Sequence, residues 1–142
     1  MSRLYRFLKY NKNKWMTFQV LILSALYRIC ILGIPFKFVK KFIGQEGEES
    51  LFEDTIENYR YASRVARIVN HVCDNTIWES KCLIRALVAQ KFLKKKKVHS
   101  TIYLGVSKKN TNLIAHAWLR CGEYYVTGGN GEGYICVSKF YK

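Results

Sequence analysis

The amino-acid sequence predicts an α+β domain in which N-terminal helices precede an antiparallel β-meander. Apolar residues recur at three- and four-residue spacing through the first two-thirds of the chain, as they do on one face of a helix. From about residue 98 the period changes to two, and β-branched and aromatic residues become frequent, which indicates strands. With 142 residues, of which 49% are hydrophobic, the chain is long enough for one domain with a packed core.

The first 44 residues are basic and apolar, with nine Lys or Arg side chains and no acidic one. An uncharged run at residues 15–27 is followed by Arg28, and apolar character resumes at residues 29–36. Pro35 is expected to end or kink the helix. A signal peptide would require a clear small-residue cleavage site after the apolar run, and none follows it here. A membrane span would require roughly 20 apolar residues, and the uncharged run at residues 15–27 is shorter than that. We therefore favour a helical docking segment that packs on the domain, on a partner or on an anionic membrane face.

Acidic residues concentrate directly after this segment, since residues 45–58 hold six of the ten Asp and Glu side chains. We interpret residues 45–54 as an acidic linker between the docking segment, residues 1–44, and a main domain at residues 55–142. An acidic surface loop is the alternative interpretation, and it is compatible with the same boundary.

Two helices are expected after the linker. An amphipathic pattern predicts the first from about Leu51 to a polar cluster at residues 71–75. The second is expected at residues 81–93, with Ser80 as its N-cap and the lysines at 94–97 at its C-terminal end. Because no aromatic residues are interleaved with these lysines, we expect no nucleic-acid partner.

Four strands are expected in the C-terminal third, separated by turns rich in polar residues and glycine. Their predicted ranges are 98–106, 113–121, 124–127 and 134–140. In the second strand, alternation places His116 and Trp118 on one face and Ala117 and Leu119 on the other. A helix packed on the first of these faces would bring Cys82 over His116, with Trp118 shielding the pair from water.

Cys82 and His116 form the candidate catalytic pair. Cys82 lies in the first turn of the second predicted helix, where free backbone N–H groups and the helix dipole stabilise a thiolate. Such a thiolate is a nucleophile when a histidine can take its proton, and His116 lies mid-strand among apolar neighbours. The alternative is a buried structural cysteine and a core histidine hydrogen-bonded to a backbone carbonyl.

The net charge of +14 favours anionic partners without choosing among nucleic acid, a lipid surface and an acidic protein. The five cysteines are irregularly spaced, and no Cys-x-x-Cys pair or His/Cys cluster has zinc spacing. We therefore expect reduced thiols, no metal, no cofactor and a cytoplasmic location, with membrane association through residues 1–44 as an option.

Several short motifs resemble those of one known family. They are Trp78, Lys81-Cys82-Leu83, Leu104-Gly105-Val106 and His116-Ala117-Trp118-Leu119. Together they resemble the lasso-peptide maturation protease, a transglutaminase-like (papain-like) cysteine peptidase of bacterial biosynthetic clusters. The likeness extends from about Leu51 to the C-terminus, whereas the first 44 residues are similar to the family's N-terminal segment only in character.

The resemblance implies hydrolysis of one peptide bond between the leader and the core of a ribosomally made precursor, with Cys82 as nucleophile and His116 as general base. It implies three partners: the precursor peptide, a separate leader-recognition protein and an asparagine-synthetase-like cyclase that takes the freed core amine. The chain resembles the stand-alone protease form. The alternatives are a basic docking module for a partner enzyme or membrane, and acyl transfer by the same Cys–His pair, as in transglutaminases.

One position departs from the family's pattern. The family places an Asp about twelve residues beyond its histidine, where this chain has Gly128. Two side chains are candidates for orienting the imidazole instead: Thr127, expected directly opposite His116, and Asn130, whose amide oxygen can hold the tautomer. Glu132 is a weaker third candidate. A backbone carbonyl in this role, or an inactive enzyme, completes the alternatives.

Overall fold

Helices make up most of the first two-thirds of the chain, and all strands but one lie in the last third, in a computed structural model that describes residues 3–10, 12–76 and 82–142. Within these residues the helices are α1 (Arg3–Tyr10), α2 (Lys14–Gly33), α3 (Phe36–Ile43), α4 (Ile56–Asp74) and α5 (Cys82–Lys95). The strands are β1 (Gln45–Glu46), β2 (Thr101–Lys109), β3 (Asn112–Cys121), β4 (Tyr124–Thr127) and β5 (Ile135–Tyr141). All pairings between them are antiparallel, so the predicted α+β class is confirmed.

The strands form one sheet in the order β1-β5-β2-β3-β4. Strands β2, β3 and β4 follow one another as the predicted meander, whereas β5 pairs with β2 rather than with β4. The connection from β4 to β5, residues 128–134, therefore has to pass across both β3 and β2. Gly128 and Gly131 of this connection both lie against Trp118 of β3, so a glycine-rich loop covers this part of the sheet.

Helix α4 begins at Ile56, not near Leu51 as the amphipathic pattern suggested. Thr55 is its N-cap, because the Thr55 hydroxyl oxygen accepts a hydrogen bond from the N–H of the third helical residue at 3.2 Å. Arg120 holds the residues before this helix, because its guanidinium donates to the main-chain carbonyls of Ser50 and Leu51. This tertiary contact keeps the chain there out of the helix.

Helices α4 and α5 pack on one face of the sheet, and α2 packs against these two helices. The core between them is built from buried apolar side chains of α4, α5 and the strands, including Val65, Val69, Ile84, Leu93, Ile102, Leu119 and Phe140. On β3, Leu119 and Cys121 belong to this core. Because side chains alternate along a strand, His116 and Trp118 point to the opposite face.

The N-terminal helices contribute to the same core. Val20 of α2 and Val39 and Ile43 of α3 are buried in one cluster with the side chains of α4 and α5. Pro35 separates α2 from α3, as expected of a residue that ends a helix. The side-chain amide of Gln90 on α5 donates to the carbonyl of Ile43 at 2.7 Å. The structure therefore shows one shared core on both sides of the predicted boundary.

The segment predicted as a linker carries part of the sheet. Gln45 and Glu46 form β1 and pair with Tyr141 and Phe140 of β5. Ser50 is buried, and the hydroxyl oxygens of Ser50 and Thr101 lie 2.9 Å apart. Residues 45–50 are thus bonded to the domain at both ends.

Helix α2 is the one described helix that is long and apolar enough, by length and composition alone, to cross a membrane. Only 17% of its most apolar window is buried inside the domain. The buried side chains, Thr17, Val20 and Ser24, lie on one side of the helix, and other apolar side chains of α2, such as Leu23 and Tyr27, pack partly against the core. The large apolar side chains on the other side of the helix are exposed.

Candidate active site

Cys82 is the first described residue of α5 and lies at the edge of β3. Its Sγ atom accepts a hydrogen bond from the backbone N–H of Ala117 at 3.3 Å. This N–H group is available because the described pairing of β3 with β4 stops at Leu119 and Thr127. The start of α5 therefore takes the place beside β3 that a longer β4 would occupy. The predicted N-cap Ser80 lies outside the described residues.

His116 directly precedes Ala117 on β3, so the strand carries the imidazole next to the residue that contacts the thiol. The Nε2 atom of His116 lies 2.7 Å from the carbonyl oxygen of Gly128. A carbonyl oxygen can only accept, so Nε2 carries the hydrogen and Nδ1 of the neutral imidazole keeps its lone pair. A general base requires such a free nitrogen.

From the sequence we expected α5 to cover the sheet face that carries His116. In the structure α5 packs on the other face, against side chains such as Leu119, and Cys82 reaches β3 at its edge. The physical reason is the short β4, which leaves the backbone of β3 open beyond Leu119. The cysteine and the histidine strand therefore meet through the main chain of Ala117.

Gly128 supplies the acceptor for the imidazole with its main chain. Its φ of +76° lies in the region that favours glycine, and a Cβ atom there would stand 2.4 Å from the carbonyl oxygen of Ala117. Only glycine lets the loop approach β3 this closely. The acceptor at the position of the family's Asp is thus a backbone carbonyl, which is one of the alternatives that the sequence left open.

The two predicted orienting side chains have other surroundings. Thr127 pairs with Leu119, so the expected register opposite His116 was wrong. Cys121 pairs with Tyr124, so the hairpin turns one residue later than expected, and a bulge next to Leu119 shifts the pairing further. The hydroxyl of Thr127 is buried and has no hydrogen-bond partner in the described part of the chain. Asn130 accepts a hydrogen bond from the backbone N–H of Glu132 at 3.0 Å, and the Glu132 side chain is exposed. Asn130 therefore shapes the loop that carries the acceptor.

Aromatic rings hold the plane of the imidazole. The ring centroid of His116 lies 4.7 Å from that of Tyr134 and 5.9 Å from that of Trp118, and both pairs are stacked. Trp118 in turn stacks on Tyr103 at 5.4 Å. Gly105 leaves room for the indole, because a Cβ atom there would stand 2.7 Å from it. The sequence indicated Trp118, whereas Tyr103 and Tyr134 become neighbours only through strand register and the loop crossing.

A buried arginine supports the far end of this stack. The Nε atom of Arg120 donates to the hydroxyl of Tyr103 at 2.8 Å, and that hydroxyl donates to Glu49 at 2.6 Å. Burial, ahead of the hydrogen bond to Glu49, raises the pKa of Tyr103 to about 12. The Tyr103 hydrogen bond, in turn, is the largest cause that lowers the pKa of Glu49. Tyr103 therefore stays protonated and keeps donating at neutral pH.

The structure places the Cys82 thiol against the main chain of Ala117 and the His116 imidazole on the neighbouring residue, while the hydrogen bonds of the described residues include none between the thiol and the imidazole. A thiol and an imidazole are the two side-chain groups that nucleophilic thiol chemistry uses. Within residues 3–10, 12–76 and 82–142, no group of three or more His, Cys, Asp or Glu side chains is placed to hold a metal ion.

Comparison with known proteins agrees with this architecture. A family model described as the transglutaminase-like superfamily matches residues 38–135, a range that includes Cys82, His116 and Gly128. No curated protein and no solved structure matches the chain. The superfamily includes cysteine peptidases and acyltransferases. Because the match covers more than half of the chain, the protein belongs to the transglutaminase-like superfamily.

Proposed function

We propose that the protein is a cysteine peptidase that removes the leader peptide from a lasso-peptide precursor. The observation that carries the proposal is the 3.3 Å hydrogen bond from Ala117 N–H to Sγ of Cys82, next to a histidine whose Nε2 is held 2.7 Å from Gly128. Because a core histidine would make the same bond to a backbone carbonyl, the exposure of the two side chains separates the catalytic from the structural interpretation. Cys82 and His116 are also both partly exposed, as access by a substrate requires.

In the proposed reaction, the sulfur of Cys82 attacks the carbonyl carbon of the scissile bond and its proton passes to Nδ1 of His116. Backbone N–H groups at the start of α5 stabilise the oxyanion. The imidazolium then protonates the leaving nitrogen, so the core departs with a free amine and the leader stays on Cys82 as a thioester. Water, deprotonated by His116, hydrolyses the thioester and releases the leader with a new carboxylate.

The carbonyl of Gly128 orients the imidazole in this scheme. A neutral carbonyl stabilises the transient imidazolium less than a carboxylate does, because it carries only a partial charge. It nevertheless defines the tautomer and the ring direction, and the rings of Trp118 and Tyr134 restrict rotation out of that plane. We therefore expect the imidazole to be well oriented but the rate of cleavage to be low.

The substrate class follows from the motifs around Cys82 and His116, which resemble the lasso-peptide protease, and from charge. A net charge of +14 attracts acidic peptides. Extended peptides can add to a sheet edge through main-chain hydrogen bonds, but such contacts give little sequence preference. We therefore propose that a separate leader-recognition protein delivers the precursor and that an asparagine-synthetase-like cyclase takes the product, in the cytoplasm.

Delivery gives a clear kinetic test. A bound partner raises the effective concentration of the scissile bond to the order of mM for a short flexible connection. Cleavage of the precursor, followed by mass spectrometry, is expected to be slow with the protein alone and to rise by about a hundredfold or more with the partner. Equal rates at sub-micromolar precursor would show that the binding determinants lie in this chain.

Acyl transfer by the same pair is the second candidate, because the superfamily includes acyltransferases. The two reactions differ in what resolves the thioester on Cys82. With a primary amine added in excess, a peptidase yields mainly leader carboxylate, whereas an acyltransferase yields the amide of the leader. The mass of the leader product therefore separates them.

A further inference from the structure

Helix α2 carries an apolar face on the side that is turned away from the domain. Its large exposed side chains are Trp15, Phe18, Ile22, Leu26, Ile29 and Leu32. At about 100° and 1.5 Å per residue, they fall within an arc of about 120° along about 26 Å of helix. Thr17, Val20 and Ser24, the buried residues, lie on the opposite side.

Helix α3, which follows α2 directly, exposes further apolar side chains. Phe36, Phe38 and Phe42 are exposed, whereas Val39 and Ile43 of the same helix are buried. We use the name apolar surface for the six exposed side chains of α2 together with these three phenylalanines. Exposed apolar patches of this kind are typical of surfaces that bind a membrane or another protein.

Basic side chains flank the apolar surface. Residues 1–44 contain nine Lys or Arg and no Asp or Glu. The ammonium groups of Lys37 and Lys41 lie 5.0 Å and 5.6 Å from the ring centroid of Phe38, so charge and apolar area adjoin directly. This combination is typical of helices that lie in the interface of an anionic membrane.

A second basic cluster lies at the C-terminal end of α5, in a cavity that it shares with Phe42 of the apolar surface. Lys91, Lys94 and Lys142 line a cavity of about 410 Å³ whose walls include Ile34 and Phe42. No acidic side chain pairs with these three lysines in the part of the chain that the structure describes. Burial, and then the charges of Lys94 and Lys91, lower the pKa of Lys142. The cluster thus presents uncompensated positive charge next to apolar walls.

The packing of α2 rules out a simple crossing of the bilayer. Its buried side lies against α4 and α5. Helix α4 exposes the guanidinium groups of Arg60, Arg64 and Arg67 to solvent. Because α2 packs along α4, α2 could pass through the hydrocarbon core of a bilayer only if the arginines of α4 were buried there too. Burying these charges is costly.

We propose that the apolar surface binds an anionic lipid bilayer. Helix α2 then lies in the plane of the interface, and Lys91, Lys94 and Lys142 contact lipid phosphates. A second protein would be expected to bring acidic side chains to lysines that have none here. Cys82 stands at the opposite end of α5, about 18 Å along the helix axis from Lys94. The candidate active site therefore stays open to substrate on a docked protein.

The test is co-sedimentation of the full chain with vesicles. Binding to vesicles that contain phosphatidylglycerol is expected to exceed binding to pure phosphatidylcholine by at least about tenfold, and to weaken as salt is raised. The variant Ile22→Ser/Leu26→Ser/Ile29→Ser changes only exposed positions and is expected to bind at least about tenfold more weakly. The matched control is Leu51→Ser/Leu113→Ser/Ile135→Ser, which removes equally apolar exposed side chains elsewhere and should bind normally.

A second pair of variants tests the charges. Lys91→Gln/Lys94→Gln is expected to weaken binding to the anionic vesicles, whereas Lys108→Gln/Lys109→Gln, at the far end of β2, should not. Circular dichroism confirms that each variant is folded. Equal binding to both lipids, or undiminished binding by the apolar-surface variant, would overturn the proposal. So would a stable dimer without vesicle binding that the same variant dissociates, since the surface would then be a protein interface.

Discussion

The Nε2 atom of His116 lies 2.7 Å from the carbonyl oxygen of Gly128. This contact places a main-chain acceptor where the family's pattern has a carboxylate side chain. It also makes the orientation of the imidazole depend on the conformation of a loop, because Gly128 holds a φ of +76° against the carbonyl of Ala117. The loop can therefore be tested through its glycines.

Substituting Gly128→Ala should impair both stability and cleavage. The new Cβ atom would stand 2.4 Å from the Ala117 carbonyl oxygen, so the loop has to shift and carry its own carbonyl away from His116. We expect a loss of about 1–3 kcal/mol in the free energy of unfolding, with a clear fall in cleavage rate.

Gly129→Ala is the matched control for this substitution. Gly129 has a φ of +72°, yet a Cβ atom there meets nothing within 4 Å, so it shares the backbone strain without the overlap. Thermal unfolding and initial cleavage rates of the two variants should therefore differ. If Gly129→Ala lost as much activity as Gly128→Ala, the contact with the strand would not be the cause.

Thr127→Val should stabilise the protein without lowering its rate of cleavage. The substitution keeps the shape of a buried side chain whose hydroxyl has no hydrogen-bond partner in the described residues, so about 1 kcal/mol of stability is expected to be gained. Thr101→Val should instead destabilise the protein, because the Thr101 hydroxyl oxygen accepts a hydrogen bond from the N–H of Ser50 at 2.7 Å. Urea unfolding measures both. A slower reaction in Thr127→Val would mean that this hydroxyl acts on His116 after all.

The sequence predicted the elements that depend on local pattern. The α5 helix, with Cys82 as its first described residue, and strand β4 at Tyr124–Thr127 both follow from periodicity and turn residues. The bulge beside Leu119 could not be predicted, because register depends on contacts between strands rather than on the order of apolar residues. For the same reason the sequence could not show that a carbonyl of the loop after β4 would reach His116.

The stability of the protein should fall at high pH because of Cys121. Burial, ahead of the nearby Asp54 carboxylate, raises the pKa of the Cys121 thiol from 9.0 to about 12. The unfolded chain therefore loses this proton at a pH where the folded chain still holds it. The associated stability is complete below about pH 9 and is lost progressively up to about pH 12, at no more than about 1.4 kcal/mol per pH unit.

Urea unfolding of the protein and of its Cys121→Ala variant, at about pH 8 and about pH 10, tests this pH dependence. The variant should be less stable at the lower pH, because it loses buried side-chain volume, but should lose less stability between the two values. Parallel losses in both proteins would contradict a role for this thiol.

Removing residues 1–50 should prevent cooperative folding. The deletion takes Val20, Val39 and Ile43 out of the shared core, and each such burial contributes about 1.5–3 kcal/mol. Deletion of residues 1–12 is the control, because it leaves α2 and α3 in place. Thermal unfolding followed by circular dichroism compares the two. A cooperative transition in the shorter protein would support the independent domain at residues 55–142 that we expected from composition.

The central claim, that Cys82 forms a thioester with the leader, is tested most directly by intact mass spectrometry of the enzyme. Enzyme in excess is mixed with precursor and quenched in acid during the first turnover. We predict an adduct with the mass of the leader less one water, mapped to Cys82, followed by two products that together weigh one water more than the precursor. The adduct and the cleavage should disappear in Cys82→Ala and persist in Cys30→Ala, which changes an exposed thiol on α2. Undiminished cleavage by Cys82→Ala, or an adduct on another cysteine, would contradict the account.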